Sequence, residues 1–256
     1  MIAAILAEWT KIRTLASTAW LLVGTAVLTT GVGVVVVATT HQSSGGGSQD
    51  ATKLVLTGID LGQAVVVVLA VLAITEEYGT GMIRTTFAAV PGRVTVLGAK
   101  AAAVAALTLA AGTVAVAGCL IAGRLVPADG LGTAHGSAIG SITHGPTLRA
   151  GVGSVLYLVL VALLAIGIAT VVRDTAVSIG VVLAVLYLPT LLAQAVSDPL
   201  RRHIQQVAPM TAGLAVQATT NLGKLPISPW AGIGVLAAWA AGALLLAGLL
   251  LRHRDP

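Results

Sequence analysis

The chain has 256 residues, of which 57% are hydrophobic, 9% charged and only 3% aromatic, with a mean hydropathy of +0.99. A soluble domain averages about 25% charged residues, so this composition excludes a water-soluble globule, and the apolar content excludes intrinsic disorder. Fourteen Lys and Arg against nine Asp and Glu leave a net charge of +5, but the basic residues form no patch, so the charge reads as membrane topology rather than a nucleic-acid footprint.

Residues 1–18 predict an amphipathic helix. Ile2, Ile5, Trp9, Ile12 and Ala16 recur at three- and four-residue steps, while Glu8, Lys11 and Arg13 fall mostly elsewhere on the wheel. Such a helix lies along the headgroup layer with Trp9 at the interface; the alternative is that it is simply the start of a long first helix. Residues 19–256 form a transmembrane domain. A helix needs about 20 apolar residues to cross about 30 Å of hydrocarbon. Uncharged stretches of that length place spans at about 20–40, 101–123, 150–172, 175–197 and 230–251. The segment Thr57-Gly58-Ile59-Asp60 has the form of a capping box and starts a further span at about 58–76. The expected fold is therefore all-α and polytopic with six spans, because an open sheet edge would leave backbone groups unpaired in lipid. The first apolar run exceeds the about 7–15 residues of a signal-peptide core and is expected to be retained.

The connecting segments differ in composition. Ser43 to Ser48 is a glycine–serine linker. Pro127 to Pro146 is rich in Gly, Ser and Thr and carries His135 and His144. Asp198 to Pro229 is the longest, with a short surface helix expected from Pro199 to Ala208, Ile204 and Val207 facing down. Placing Lys11, Arg13, Arg84, Arg93, Lys100, Arg173, Arg252 and Arg254 on the cytoplasmic side puts both termini there. Cys119 stands alone in an apolar run, which excludes a disulfide framework and reads as a small buried residue.

Little in the sequence supports chemistry. Gly223-Lys224 is followed by Leu225 and no glycine precedes it at the required spacing, so the chain has no P-loop. Glu76-Glu77 lacks the membrane histidines of a metalloprotease, Ser154 lacks a histidine to activate it, and His135 and His144 lack further zinc ligands. No catalytic, metal or cofactor residue is expected. Every charge is read as lying at a helix end or in a loop, which disfavours a proton-coupled carrier. What remains is Thr75 to Lys100. Met82, Ile83, Phe87 and Val90 fit one face of a short helix with Arg84, Thr85 and Thr86 opposite, and Pro91-Gly92 ends it. Gly79 and Gly81 permit a sharp exit from the bilayer. Joined to two spans, this segment suits a lever moved by a cytosolic partner; the alternative is an ordinary solvated connector, for which its apolar content is unusual.

Three segments resemble the membrane subunits of ABC-2 type exporters in their actinobacterial form. They are Ala7-Glu8-Trp9-Thr10-Lys11-Ile12-Arg13-Thr14 before the first span, Thr75-Glu76-Glu77-Tyr78-Gly79-Thr80-Gly81-Met82-Ile83-Arg84-Thr85-Thr86 after the second, and Ser228-Pro229-Trp230-Ala231-Gly232 opening the sixth. The resemblance implies a connecting helix carrying Glu8, Trp9, Lys11 and Arg13, and a coupling helix from about Gly79 to Ala88 that docks into a separate ATPase subunit. It also implies polar contacts at Glu76 and Glu77, a smaller ATPase contact at Arg173-Asp174, and a re-entrant segment within Asp198 to Pro229. Two permease chains, identical or not, would pair in the cell membrane and recruit two ATPase chains, which bind ATP and magnesium. The exported substrate would be hydrophobic or amphipathic: a drug, an antibiotic or a lipid-like molecule. Tyr157, Tyr187 and Pro189 are candidates for lining the pathway and equally for packing the core. Two rival classes stay open: a non-transporting anchor or sensor subunit, and an intramembrane enzyme.

Overall fold

The computed structural model describes residues 16–43, 50–79, 82, 92–125 and 145–253. The amphipathic helix expected at the N-terminus, with Glu8, Trp9, Lys11 and Arg13, lies outside them. So do Thr80, Gly81, Ile83, Arg84, Thr85 and Thr86 of the expected coupling helix, and His135 and His144.

Among the described residues the protein is all-helical. Six helices or helix pairs are long and apolar enough to cross a membrane, as befits a multi-pass membrane protein. In chain order the elements are α1 (Ala16–Ser43), α2 (Ala51–Leu56), α3 (Ile59–Gly79), α4 (Arg93–Leu125), α5 (Gly145–Val172), α6 (Thr175–Leu192), α7 (Asp198–Val207), α8 (Pro209–Leu214) and α9 (Pro229–His253). Two short 3₁₀ turns, Ala215–Gln217 and Leu222–Lys224, lie between α8 and α9. The end carrying Gly79, Arg93 and Thr175 is called lower and the opposite end upper.

α3 and α5 are the inner helices, and α1, α6 and α9 pack around them with most of their surface outward. Lipid tails are as apolar as leucine, so burial between spans depends on close packing rather than on escape from water. Small residues supply it. A Cβ on Gly58 would collide with the carbonyl oxygen of Thr29, so the turn into α3 presses backbone to backbone on α1. Gly232 of α9 meets the carbonyl of Ala212 in α8 in the same way.

Two span boundaries depart clearly from the expectations. The second span begins with the short helix α2, whose N-cap Asp50 accepts from the Lys53 N–H at 3.2 Å. Thr57 makes no capping box, because its hydroxyl turns back to the Lys53 carbonyl at 3.1 Å. α3 starts instead on backbone bonds from Asp60 to Thr57 and from Gly62 to Gly58, both 3.0 Å. The fifth span stops at Leu192, not at 197. Pro189 supplies no N–H to the ladder, the next bonds tighten to three-residue turns at Gln194 and Ala195, and Pro199 fixes the start of α7. The short surface helix forms as α7, one residue earlier than expected, and no residue on it is buried. Cys119 is fully buried, its thiol 3.6 Å from the Thr29 carbonyl.

Candidate functional site

The lower end brings together the described residues of the lever segment and the short link between α5 and α6. α3 ends in Thr75-Glu76-Glu77-Tyr78-Gly79, and the helical period separates the two glutamates. Glu76 is exposed. Glu77 is buried, and the Lys100 ammonium of α4 contacts its Oε1 at 2.7 Å, with both side chains 3% exposed. The same ammonium lies 3.4 Å from the Ala73 carbonyl. Lys100 stands about two turns inside α4, which corrects the reading that every charge sits at a helix end or in a loop. A buried charge is tolerated when a counter-charge and hydrogen bonds replace its water, and Lys100 and Glu77 supply each other's counter-charge.

A second set of contacts fastens α6 to α3. The Thr175 hydroxyl donates to the Thr75 hydroxyl at 2.8 Å, and Thr75 donates to the Val71 carbonyl at 3.1 Å. The α5–α6 link is only two residues long. Arg173 adopts the left-handed conformation, with φ of 63°, and its N–H still bonds the Ala169 carbonyl at 2.9 Å. Asp174 then caps α6, its carboxylate accepting from the Val177 N–H at 2.8 Å. From this turn the Arg173 guanidinium reaches over the Tyr78 ring, 5.4 Å from its centroid, a cation–π contact. A non-glycine residue in this conformation carries strain that its surroundings must offset. The stacking on Tyr78 is such an offset.

Of the expected coupling residues, then, Glu77, Tyr78 and Arg173 are held together with Lys100, while Glu76, Gly79 and Met82 are exposed. Lys100 was not among the expected site residues. The available signal was a lysine near the start of one span facing a glutamate near the end of the preceding antiparallel one.

The three candidates for pathway lining occupy different settings. Tyr157 is fully buried, and its hydroxyl donates to the Gln63 side-chain carbonyl. The Gln63 amide in turn points at the Met210 sulfur at 3.4 Å. Tyr157 is therefore a core residue that joins α5, α3 and α8. Tyr187 is half-buried, and its hydroxyl donates to the Asp60 backbone carbonyl. Pro189 is partly exposed near the end of α6.

At the upper end, α8 and the first 3₁₀ turn fold back into the bundle, and Pro209, Met210, Ala212, Gly213, Val216 and Gln217 are buried. The Asp50 carboxylate holds this segment, accepting from the Thr219 N–H at 2.5 Å, the Thr219 hydroxyl at 2.6 Å and the Thr220 N–H at 3.0 Å. Arg149 donates to the Ala218 carbonyl at 2.6 Å.

No protein-family model matches the sequence. No curated protein matches it either.

Proposed function

We propose that this chain is the membrane-spanning permease subunit of an ATP-driven exporter of the ABC-2 type, and that the lower end is where a separate ATPase drives it. The observation that carries the reading is the fastening of α3, α4 and α6 at the lower end, where α3 ends and α4 begins. The Glu77–Lys100 pair ties α3 to α4, and the Thr75–Thr175 and Tyr78–Arg173 contacts tie α3 to α6 and its link. A push on the segment between Gly79 and Arg93 therefore reaches three spans at once instead of being lost in a loose connector.

On this reading the ATPase binds ATP with magnesium, closes, and moves residues 80–91 and the Arg173-Asp174 link together. Glu76, Gly79 and Met82 lie exposed beside that contact, and Tyr78 and Arg173 pass the movement to α6. A second permease chain completes the pathway, and both termini are cytoplasmic. The cargo is a hydrophobic or amphipathic molecule taken from the cytosol or the inner leaflet. Apolar walls and few charges along the spans fit such a cargo.

The test is affinity purification of the tagged full chain from its native membrane in mild detergent, followed by identification of co-purifying proteins. An ATPase with a P-loop, retained by the wild type and lost from Arg84→Glu, supports the reading. Inverted vesicles containing both chains should then accumulate a fluorescent amphiphile only with ATP. A chain that purifies without any ATPase from cells expressing its genomic neighbours refutes it.

A further inference from the structure

A groove of about 380 Å³ opens on the outside of the bundle at the lower end, between α4 and α9. Leu97, Gly98 and Ala101 form one wall, and Leu245 and Gly248 form the other. Arg252 closes the lower end and is the one charged residue that lines it. The groove exists because both walls carry glycine, and a Cβ on Gly98 or Gly248 would meet only open space. Among the described residues, no carboxylate forms an ion pair with Arg252, and its side chain is exposed.

We propose that this groove binds one anionic phospholipid, an acyl chain along Gly98 and Gly248 and the phosphate on Arg252. The charge pattern selects the ligand. An apolar trough open to the bilayer takes a hydrocarbon chain, and a guanidinium at its end forms strong charge-assisted bonds to phosphate. The volume suits part of a single chain, about a dozen methylenes if each takes the roughly 30 Å³ of a water molecule. The site also has a functional position. Leu97 and Ala101 flank Lys100, whose ammonium is turned toward Glu77. A lipid seated there packs against the same turns of α4 that carry the buried pair. The proposal requires only that the chain lies in a membrane, so it stands or falls separately from the transport reading.

The experiment is native mass spectrometry of the full chain released from mixed micelles containing equal phosphatidylglycerol and phosphatidylcholine. The wild type should retain one phosphatidylglycerol with about fivefold preference, the value of one cation near an anionic headgroup. Arg252→Gln should keep a bound lipid but lose the preference. Gly98→Leu and Gly248→Leu, each placed in open space, should abolish retention while the chain keeps its apparent Tm. Equal retention of the two lipids by the wild type overturns the proposal, as does undiminished retention by both leucine variants. A wild-type dimer that carries no lipid and dissociates on Gly248→Leu also overturns it, by showing the groove to be a contact between copies.

Discussion

Removing one partner of the Glu77–Lys100 pair should destabilise the protein far more than removing both. At 2.7 Å and an effective dielectric near 20, the attraction is about 6 kcal/mol. The desolvation of two side chains that are each 3% exposed offsets most of it. The net worth of the pair is therefore small, but a single survivor keeps the desolvation cost without the attraction. Lys100→Met leaves the Glu77 carboxylate buried without the ammonium, and Glu77→Leu leaves the ammonium buried without the carboxylate. Each should cost about 3–5 kcal/mol, or roughly 10 °C in apparent Tm for a chain of this length. The Lys100→Met/Glu77→Leu double variant should return to within about 1 kcal/mol of wild type. Glu76→Gln, on the exposed side of the same turn, should shift stability by about 0.5 kcal/mol or less. The assay is thermal unfolding of all four proteins and the wild type in one detergent, treated as a double-mutant cycle. Additive losses in the double variant, or a loss below about 1 kcal/mol in Lys100→Met, would refute the reasoning.

Three other outcomes follow from the geometry. Arg173→Gly relieves a left-handed residue by about 1–2 kcal/mol and gives up a cation–π contact of about 0.5–1 kcal/mol, so its Tm should match or exceed the wild type. Arg173→Ala keeps most of the strain and loses the contact, so it should fall below; a higher Tm for Arg173→Ala than for Arg173→Gly would contradict this account. Gly232→Val should cost about 1–3 kcal/mol by overpacking against the Ala212 carbonyl, whereas Gly234→Ala, whose Cβ meets nothing, should be neutral or stabilising, again by thermal unfolding. Asp50→Ala removes the cap of α2 and three bonds to Thr219 and Thr220. It should cost about 1–3 kcal/mol and speed proteolysis within residues 218–228; an unchanged cleavage rate would show that the carboxylate does not hold that segment.

The helical, six-span architecture was legible because uncharged runs of membrane length leave no other way to satisfy the backbone. What escaped was anything that depends on partners distant in the chain. In the sequence Lys100 brackets a span, since a lone lysine beside an apolar run looks like its edge, and only Glu77 shows why it sits inside. Bracketing by Asp174 and Asp198 overextended the fifth span, because charge alone ignores Pro189 and the turn after it. α2 was hidden because its six residues are as apolar as the span they lead into. Tyr157 is aromatic in a span whichever role it serves, and its place in the core follows from Gln63 and Met210, 94 and 53 positions away. The glutamate pair was visible in the sequence, but which of the two turns inward was not.

The aspartate at position 50 also divides labour between neighbouring stretches of chain. Because the carboxylate fastens the start of the second crossing to Thr219 and Thr220, the placing of that start is set downstream of the glycine–serine stretch Ser44 to Ser48. The length and composition of the Ser44 to Ser48 stretch are thereby insulated from the packing behind the anchor. An epitope inserted after Gly46 should leave the bundle intact, so it offers a handle for antibody staining of whole cells that tells which face of the membrane this end occupies.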